Sequence, residues 1–286
     1  MEPITHRLFR TKPDGFLIGR NGTTEVQAIM SFLKKTPLSS SQKYYLSRTG
    51  FFCGEEENIN ESIYGLCKEL LLSIGACDVI VRPWYAPTLA AETEIIQRYA
   101  PPHVEQIELK ELEPYYTKPS HRWTAYLHGQ RVGIISPFAE TAVNQIKRKR
   151  ELLWLGDTET LLPDATYVPI RTYFPSEIAG QRAGWPTEIT NWEDAVSYLE
   201  KQCIGRIDVA IIGCGSMGMI LGSRLKLRNI RCIVMGGATQ CLFGIKGRRW
   251  EKNIDISGRW NNAWVGPSED ETPDGWESIE GGCYWL

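Results

Sequence analysis

The sequence predicts an α/β fold: a Rossmann-like, mostly parallel sheet with helices on both faces. Three observations lead there. Short β-rich runs alternate along the chain with stretches whose apolar residues recur at helical spacing, the order that puts crossover helices between parallel strands. Three of the runs pass through a short turn directly into a helical pattern, at Phe16–Glu25, Ile134–Thr141 and Asp208–Met219. With 286 residues, 42% of them hydrophobic, there is ample material for the core that such a sheet needs on each face.

Phe16–Gly19 reads as the first strand. Val26, Ile29, Met30 and Leu33 give one apolar face of the helix after it, with Thr24–Gln27 in capping-box order. Ile59, Ile63, Leu66 and Leu70 mark another helix, which Gly75 ends. Strands follow at Asp78–Val81 and, beyond the stop at Pro101-Pro102, at Val104–Leu109. Arg131–Ile135 and Thr166–Ile170 are the next two, before a helix carrying Trp192, Val196 and Leu199. Asp208–Ile212 and Arg231–Met235 complete the set, separated by the helical Met219–Arg228. Residues 251–286 show neither period. Eight acids stand there against Lys252 and Arg259, with Trp260, Trp264, Trp276 and Trp285, and this aromatic content predicts an ordered tail wrapping over the sheet. No repeat or long linker interrupts the pattern, so residues 1–286 read as a single domain.

Lys and Arg number 32 and Asp and Glu 34, a net charge of −2, so the molecule has no overall field for nucleic acid or an anionic membrane. Apolar stretches such as Leu70–Leu72 and Val209–Leu221 are broken well short of the roughly 20 residues that span a bilayer. No signal-peptide core follows the basic N-terminal residues, and a cytoplasmic protein is expected. The eight cysteines form no Cys-x-x-Cys pair and are expected to be reduced, mostly buried thiols. His6, His103, His121 and His128 fit no metal or triad spacing, and no Gly-x-Ser-x-Gly elbow or Walker loop is present.

The chemistry concentrates at glycine turns. Asp208-Val-Ala-Ile-Ile-Gly213-Cys-Gly215-Ser216-Met-Gly218 is a strand, a Gly-x-Gly-x-x-Gly loop and a helix start, an order that offers backbone N–H groups to a phosphate. A dinucleotide fold needs an acid near the end of the next strand to hold a ribose, and Val234-Met235-Gly236-Gly237 has none. This leaves a nicotinamide-dependent oxidoreductase as an alternative only. From Val209 to Trp250 there are seven basic residues and no acid. Arg224, Lys226, Arg228 and Arg231 have the spacing of a solvated helix face. Lys246, Arg248 and Arg249, ending in Trp250, look built for an anion with a ring nearby. Phe16-Leu-Ile-Gly19-Arg20-Asn-Gly22-Thr23-Thr24-Glu25 places Glu25 in a first helical turn, where the helix dipole favours a carboxylate; Glu140 has the same placing after Ser136-Pro137-Phe138. In a parallel sheet these loops converge at the strands' carboxyl ends.

These same residues resemble a family. Arg20-Asn-Gly22-x-x-Glu25, Ser136-Pro-Phe138-Ala-Glu-Thr141, Gly213-x-Gly215 and Gly236-Gly237-Ala-Thr-Gln240-x-Leu-Phe-Gly-Ile-Lys246-Gly-Arg248-Arg249-Trp250 are similar to motifs of the GT-D glycosyltransferases of surface and capsular polysaccharide biosynthesis. The similarity extends to Glu113-Pro-Tyr-Tyr116 and Gly282-Cys-Tyr-Trp285. It implies a GT-D-like fold that binds a nucleotide-sugar, commonly a uridine diphosphate sugar, and passes the sugar to a hydroxyl of a glycan acceptor. The family's metal motif is Asp-x-Glu, whereas here the residues are Thr23-Thr24-Glu25. Loss of one hard oxygen ligand implies no required cofactor, with Mn2+ or Mg2+ as in relatives the alternative, and leaves Glu25 free as a general base. On this reading Lys246, Arg248, Arg249 and the Gly213–Gly218 amides, Ser216 among them, receive the leaving diphosphate. Arg20 is a further phosphate contact, and Gly22, Ser136, Phe138, Gly236, Gly237, Gln240 and Trp250 complete the donor site. A non-catalytic nucleotide- or glycan-binding protein is the remaining alternative.

Overall fold

The computed structural model describes residues 2–55, 58–174 and 184–286. Seven strands among them form one sheet: β1 Phe16–Gly19, β2 Val79–Val81, β3 Glu105–Ile107, β4 Arg131–Ser136, β5 Thr166–Arg171, β6 Val209–Ile212 and β7 Arg231–Val234. Their order is β3-β2-β1-β7-β6-β4-β5, and every pairing is parallel. The sheet is thus more uniform than the mostly parallel one expected. Its first half keeps the 3-2-1 order of a dinucleotide fold. The second half does not, and the Gly-x-Gly loop leaves β6 rather than β1.

Alternation along the strands sends their side chains into two cores. Leu17, Ile80, Ile135, Ala210, Ile212, Cys232 and Val234 join the helices Thr23–Leu33, Ile59–Gly75, Trp192–Cys203 and Gly218–Lys226 on one face. Phe16, Ile18, Val132, Ile134, Ile211 and Ile233 meet the helices Ile4–Thr11 and Ala139–Leu153 on the other. Trp264, Tyr284 and Trp285 are buried in this second core, and Trp260 and Trp276 pack against it. Residues 251–286 contain one helical turn, Ile254–Ser257, and several 3-10 turns. All eight cysteines are free, and all but the half-buried Cys283 are buried. No described helix is long and apolar enough to cross a membrane.

Two local readings change. Helix Thr23–Leu33 begins at Gly22 without a side-chain cap, so the capping box expected at Thr24 does not form. The Glu25 carboxylate instead turns back over residue 22, where a Cβ would lie 1.9 Å from Glu25 Oε2; glycine is what admits it. The edge strand β3 stops at Ile107 because Glu108 caps the next helical turn in a box with Glu111.

The connections locate the crevice. β1 and β6 lead into helices on the first face, whereas β4 and β7 lead into segments packed on the second. Each neighbour of β7 therefore exits opposite to it, and β4 opposite to β6. Such switch points open a crevice at the carboxyl ends of parallel strands.

Candidate active site

A cavity of about 390 Å³ lies there, within the range of small-molecule sites. β1 contributes Arg20, Gly22 and Glu25, and β4 contributes Ser136 and Phe138. Gly213 and Gly215 follow β6, and Gly236, Gly237 and Gln240 follow β7. Arg249 reaches the same space. Residues that sequence reasoning assigned to one site from four separate segments are thus brought together.

Glu25 is 6% exposed. Burial pushes its carboxyl up to about 7, and the nearby Glu280 adds to this; its own backbone N–H, Arg20 and the Thr49 hydroxyl pull the other way without prevailing. A first-turn carboxylate at a helix N-terminus is ordinarily stabilised as the anion by about 0.3–1 kcal/mol. Desolvation outweighs that here, and gives a group that can take a proton near neutral pH. Arg20 donates from Nη1 to the Met235 carbonyl at 2.8 Å and lies 4.7 Å from the Trp84 ring. Its buried Nε has no hydrogen-bond partner. Gly236, at φ +63°, passes close to this guanidinium, since a Cβ would come 2.3 Å from Nη1.

No family model, curated protein or solved structure matches this chain. The chemistry of the cavity rests on its own geometry.

That geometry moves the anion site away from the backbone amides. Ser216 N–H donates to the Thr49 carbonyl at 2.7 Å, and Gly215, at φ +59°, packs on the same carbonyl. The helix after β4 is occupied too: Glu140 N–H donates to Glu271 Oε1 at 2.8 Å, and the Thr141 N–H and hydroxyl also bind this carboxylate. Glu140 itself points to solvent. Two of the three strand–helix turns therefore carry an oxygen of the protein's own.

Five residues expected in the donor site lie outside the cavity lining. Ser216 is buried behind Thr49, and Gly218 begins a helix packed on Val234. Trp250 is 6% exposed and belongs to the second core. Lys246 sets its ammonium 5.8 Å from the Trp260 ring, and Arg248 its guanidinium 5.3 Å from Trp276. The cause is the tail. Lys246 N–H donates to the Val265 carbonyl, Arg248 N–H to Trp285 and Arg249 N–H to Cys283, which turns only Arg249 of the three cations inward. For the uridine diphosphate donor that the motif resemblance implies, replacing Arg249 by Gln is expected to weaken UDP binding about 10- to 100-fold, the worth of a charge-assisted hydrogen bond. Lys246→Glu and Arg248→Glu should change it less than about twofold. Calorimetric titration of the three variants checks this.

Arg48, Thr49, Trp84, Thr172, Tyr173, Phe174 and Glu280 also line the cavity, and none was singled out from sequence; Tyr284, quoted only within the Gly282–Trp285 motif, lines it as well. Thr172 and Gln240 are buried, and each holds a side-chain oxygen without a partner, while Gln240 Nε2 donates to the Lys246 and Tyr284 carbonyls at 3.0 and 3.2 Å. The basic helix residues find acids elsewhere in the chain: Lys226 pairs with Asp78 at 2.8 Å and Arg228 with Glu200 at 2.8 Å.

The protein offers a divalent ion few donors in this cavity. Among the described residues no group of three or more His, Cys, Asp or Glu side chains could hold one. Of the cavity's two carboxylates, Glu25 is desolvated and Glu280 is bound by Arg249 and Tyr284.

Proposed function

We propose that the protein is a glycosyltransferase that takes a sugar from a nucleotide diphosphate, best a uridine diphosphate sugar, and passes it to a glycan hydroxyl. One observation carries the reading: Glu25, able to accept a proton near neutral pH, faces the same cavity as Arg20 and Arg249. The acceptor oxygen attacks the anomeric carbon while its proton moves to a Glu25 carboxylate oxygen. The bond from that carbon to the phosphate oxygen breaks, and Arg20 and Arg249 neutralise the leaving diphosphate. Trp84, Tyr173 and Phe174 offer faces for a base or sugar. The likeness of these motifs to GT-D enzymes supports the same chemistry. Eight free cysteines suit a reducing, cytoplasmic setting.

Of the alternatives, the nicotinamide-dependent oxidoreductase is disfavoured by Thr49, whose carbonyl takes the place that a pyrophosphate would need against Gly215. The test is a panel of nucleotide sugars, with NADH beside them, assayed for binding and for sugar release or transfer with EDTA present. Turnover of a uridine diphosphate sugar that persists in EDTA is expected. Binding without turnover would favour the non-catalytic alternative, and preference for NADH would overturn the donor class.

A further inference from the structure

The cavity's second carboxylate has no part in the chemistry above. Glu280 pairs with Arg249 and accepts from the Tyr284 hydroxyl at 2.9 Å, while Arg249 Nη1 donates to that hydroxyl at 3.1 Å. The guanidinium also lies 4.7 Å from the Tyr284 ring. Both partners belong to the tail, and all three residues line the cavity. We propose that Glu280 is a positioning residue for the donor, its carboxylate standing on Arg249 where the donor's phosphate will sit and giving way to it.

This rests on the donor reading and adds to it a defined exchange. The pair is not buried, its side chains being 38% and 28% exposed, so it contributes little to stability on its own and is open to competition from the cavity. A diphosphate brings more negative charge than one carboxylate and can bind a guanidinium through two oxygens. The backbone is arranged for release as well. Glu280 has φ +48°, followed by Gly281 at +68° and Gly282 at +69°. The two glycines adopt this conformation freely, whereas for a glutamate it is strained and persists only where contacts hold it. The ion pair and the tyrosine hydroxyl are among those contacts, beside the backbone bond from Gly282 N–H to the Ile279 carbonyl. Losing the first two to the donor frees residue 280 to relax, so donor binding moves the segment that carries Trp276 and Trp285.

The exchange makes a prediction that a purely structural ion pair does not. UDP and uridine are titrated into wild type, Glu280→Gln, Arg249→Gln and the double variant, with tryptophan fluorescence followed alongside. Glu280→Gln should bind UDP about five- to twentyfold more tightly and uridine unchanged, because only the phosphates compete with the carboxylate. With Arg249→Gln already present, adding Glu280→Gln should change UDP affinity less than about twofold. UDP should perturb fluorescence in wild type. Unchanged or weaker UDP binding in Glu280→Gln, with uridine binding retained to show an intact site, overturns the exchange and leaves the donor reading standing. An equal gain for uridine overturns it too. Failure of all four chains to bind UDP removes both.

Discussion

Replacing Glu25 by Gln is expected to lower the turnover of sugar transfer about 10²- to 10⁴-fold, the usual contribution of a general base, while UDP affinity changes less than about twofold. The amide keeps the shape and one acceptor oxygen but cannot take the acceptor's proton. In wild type, turnover should rise as pH passes upward through about 7, because only the ionised Glu25 is a base. The same titration has a thermodynamic side. The folded protein holds this proton more tightly than the unfolded chain, whose glutamate titrates near 4.5. Stability contributed by Glu25 is therefore intact below about 4.5 and falls as pH rises towards about 7, by about 3 kcal/mol in all. Glu25→Gln removes that loss. The variant should melt higher than wild type at pH 8 and close to it at pH 4.5, while being nearly inactive at both. Equal melting differences at the two pH values, or full turnover of the variant, would show that Glu25 is an ordinary first-turn acid.

Gly215→Ala should destabilise the fold by roughly 2–5 kcal/mol, combining a left-handed backbone cost with overpacking. A Cβ at residue 215 would stand 1.8 Å from the Thr49 carbonyl oxygen, which is backbone and cannot swing away. Gly266→Ala, where a Cβ meets nothing within 4 Å, is the control and should be near neutral. Urea unfolding of both variants gives the comparison. A Gly215→Ala protein of normal stability that has lost only UDP binding would mean that residue 215 touches phosphate after all.

Most of the seven strands were legible because they are short apolar runs bounded by turn residues, the composition that parallel strands covered on both faces need. The edge strand Glu105–Ile107 is instead largely polar and shows only through its flanks, Val104 and Leu109. Much of the cavity was legible for a related reason: strands β1, β4, β6 and β7 lead into turns rich in small or polar residues, such as Arg20, Ser136, Gly213 and Gly236, and topology alone carries those turns together. What could not be read was which turn is already filled. Nothing near Gly215 indicates that Thr49 will supply a carbonyl to it, and nothing near Glu140 indicates Glu271. The orientation of Lys246, Arg248 and Arg249 was equally hidden, since it is decided by hydrogen bonds to Val265, Trp285 and Cys283. Local sequence marked three cations as equivalent. The packing of a segment that follows them in the chain selected one.

Glu271, which closes the turn after β4, carries a consequence for the order of assembly. Every strand of the sheet is synthesised before it, as are Arg20, Glu25 and Arg249. A chain folding from its first residue can thus complete its sheet while the amides of residues 140 and 141 still face water and the wall formed by Glu280 and Tyr284 is missing. Seating Glu271 on the amides of residues 140 and 141 joins residues some 130 positions apart, the kind of distant contact that forms slowly. Glu25 would be wet until then, and its unusual proton affinity would arise only as residues 251–286 dock. Acquisition of activity during refolding should accordingly lag behind the recovery of secondary structure.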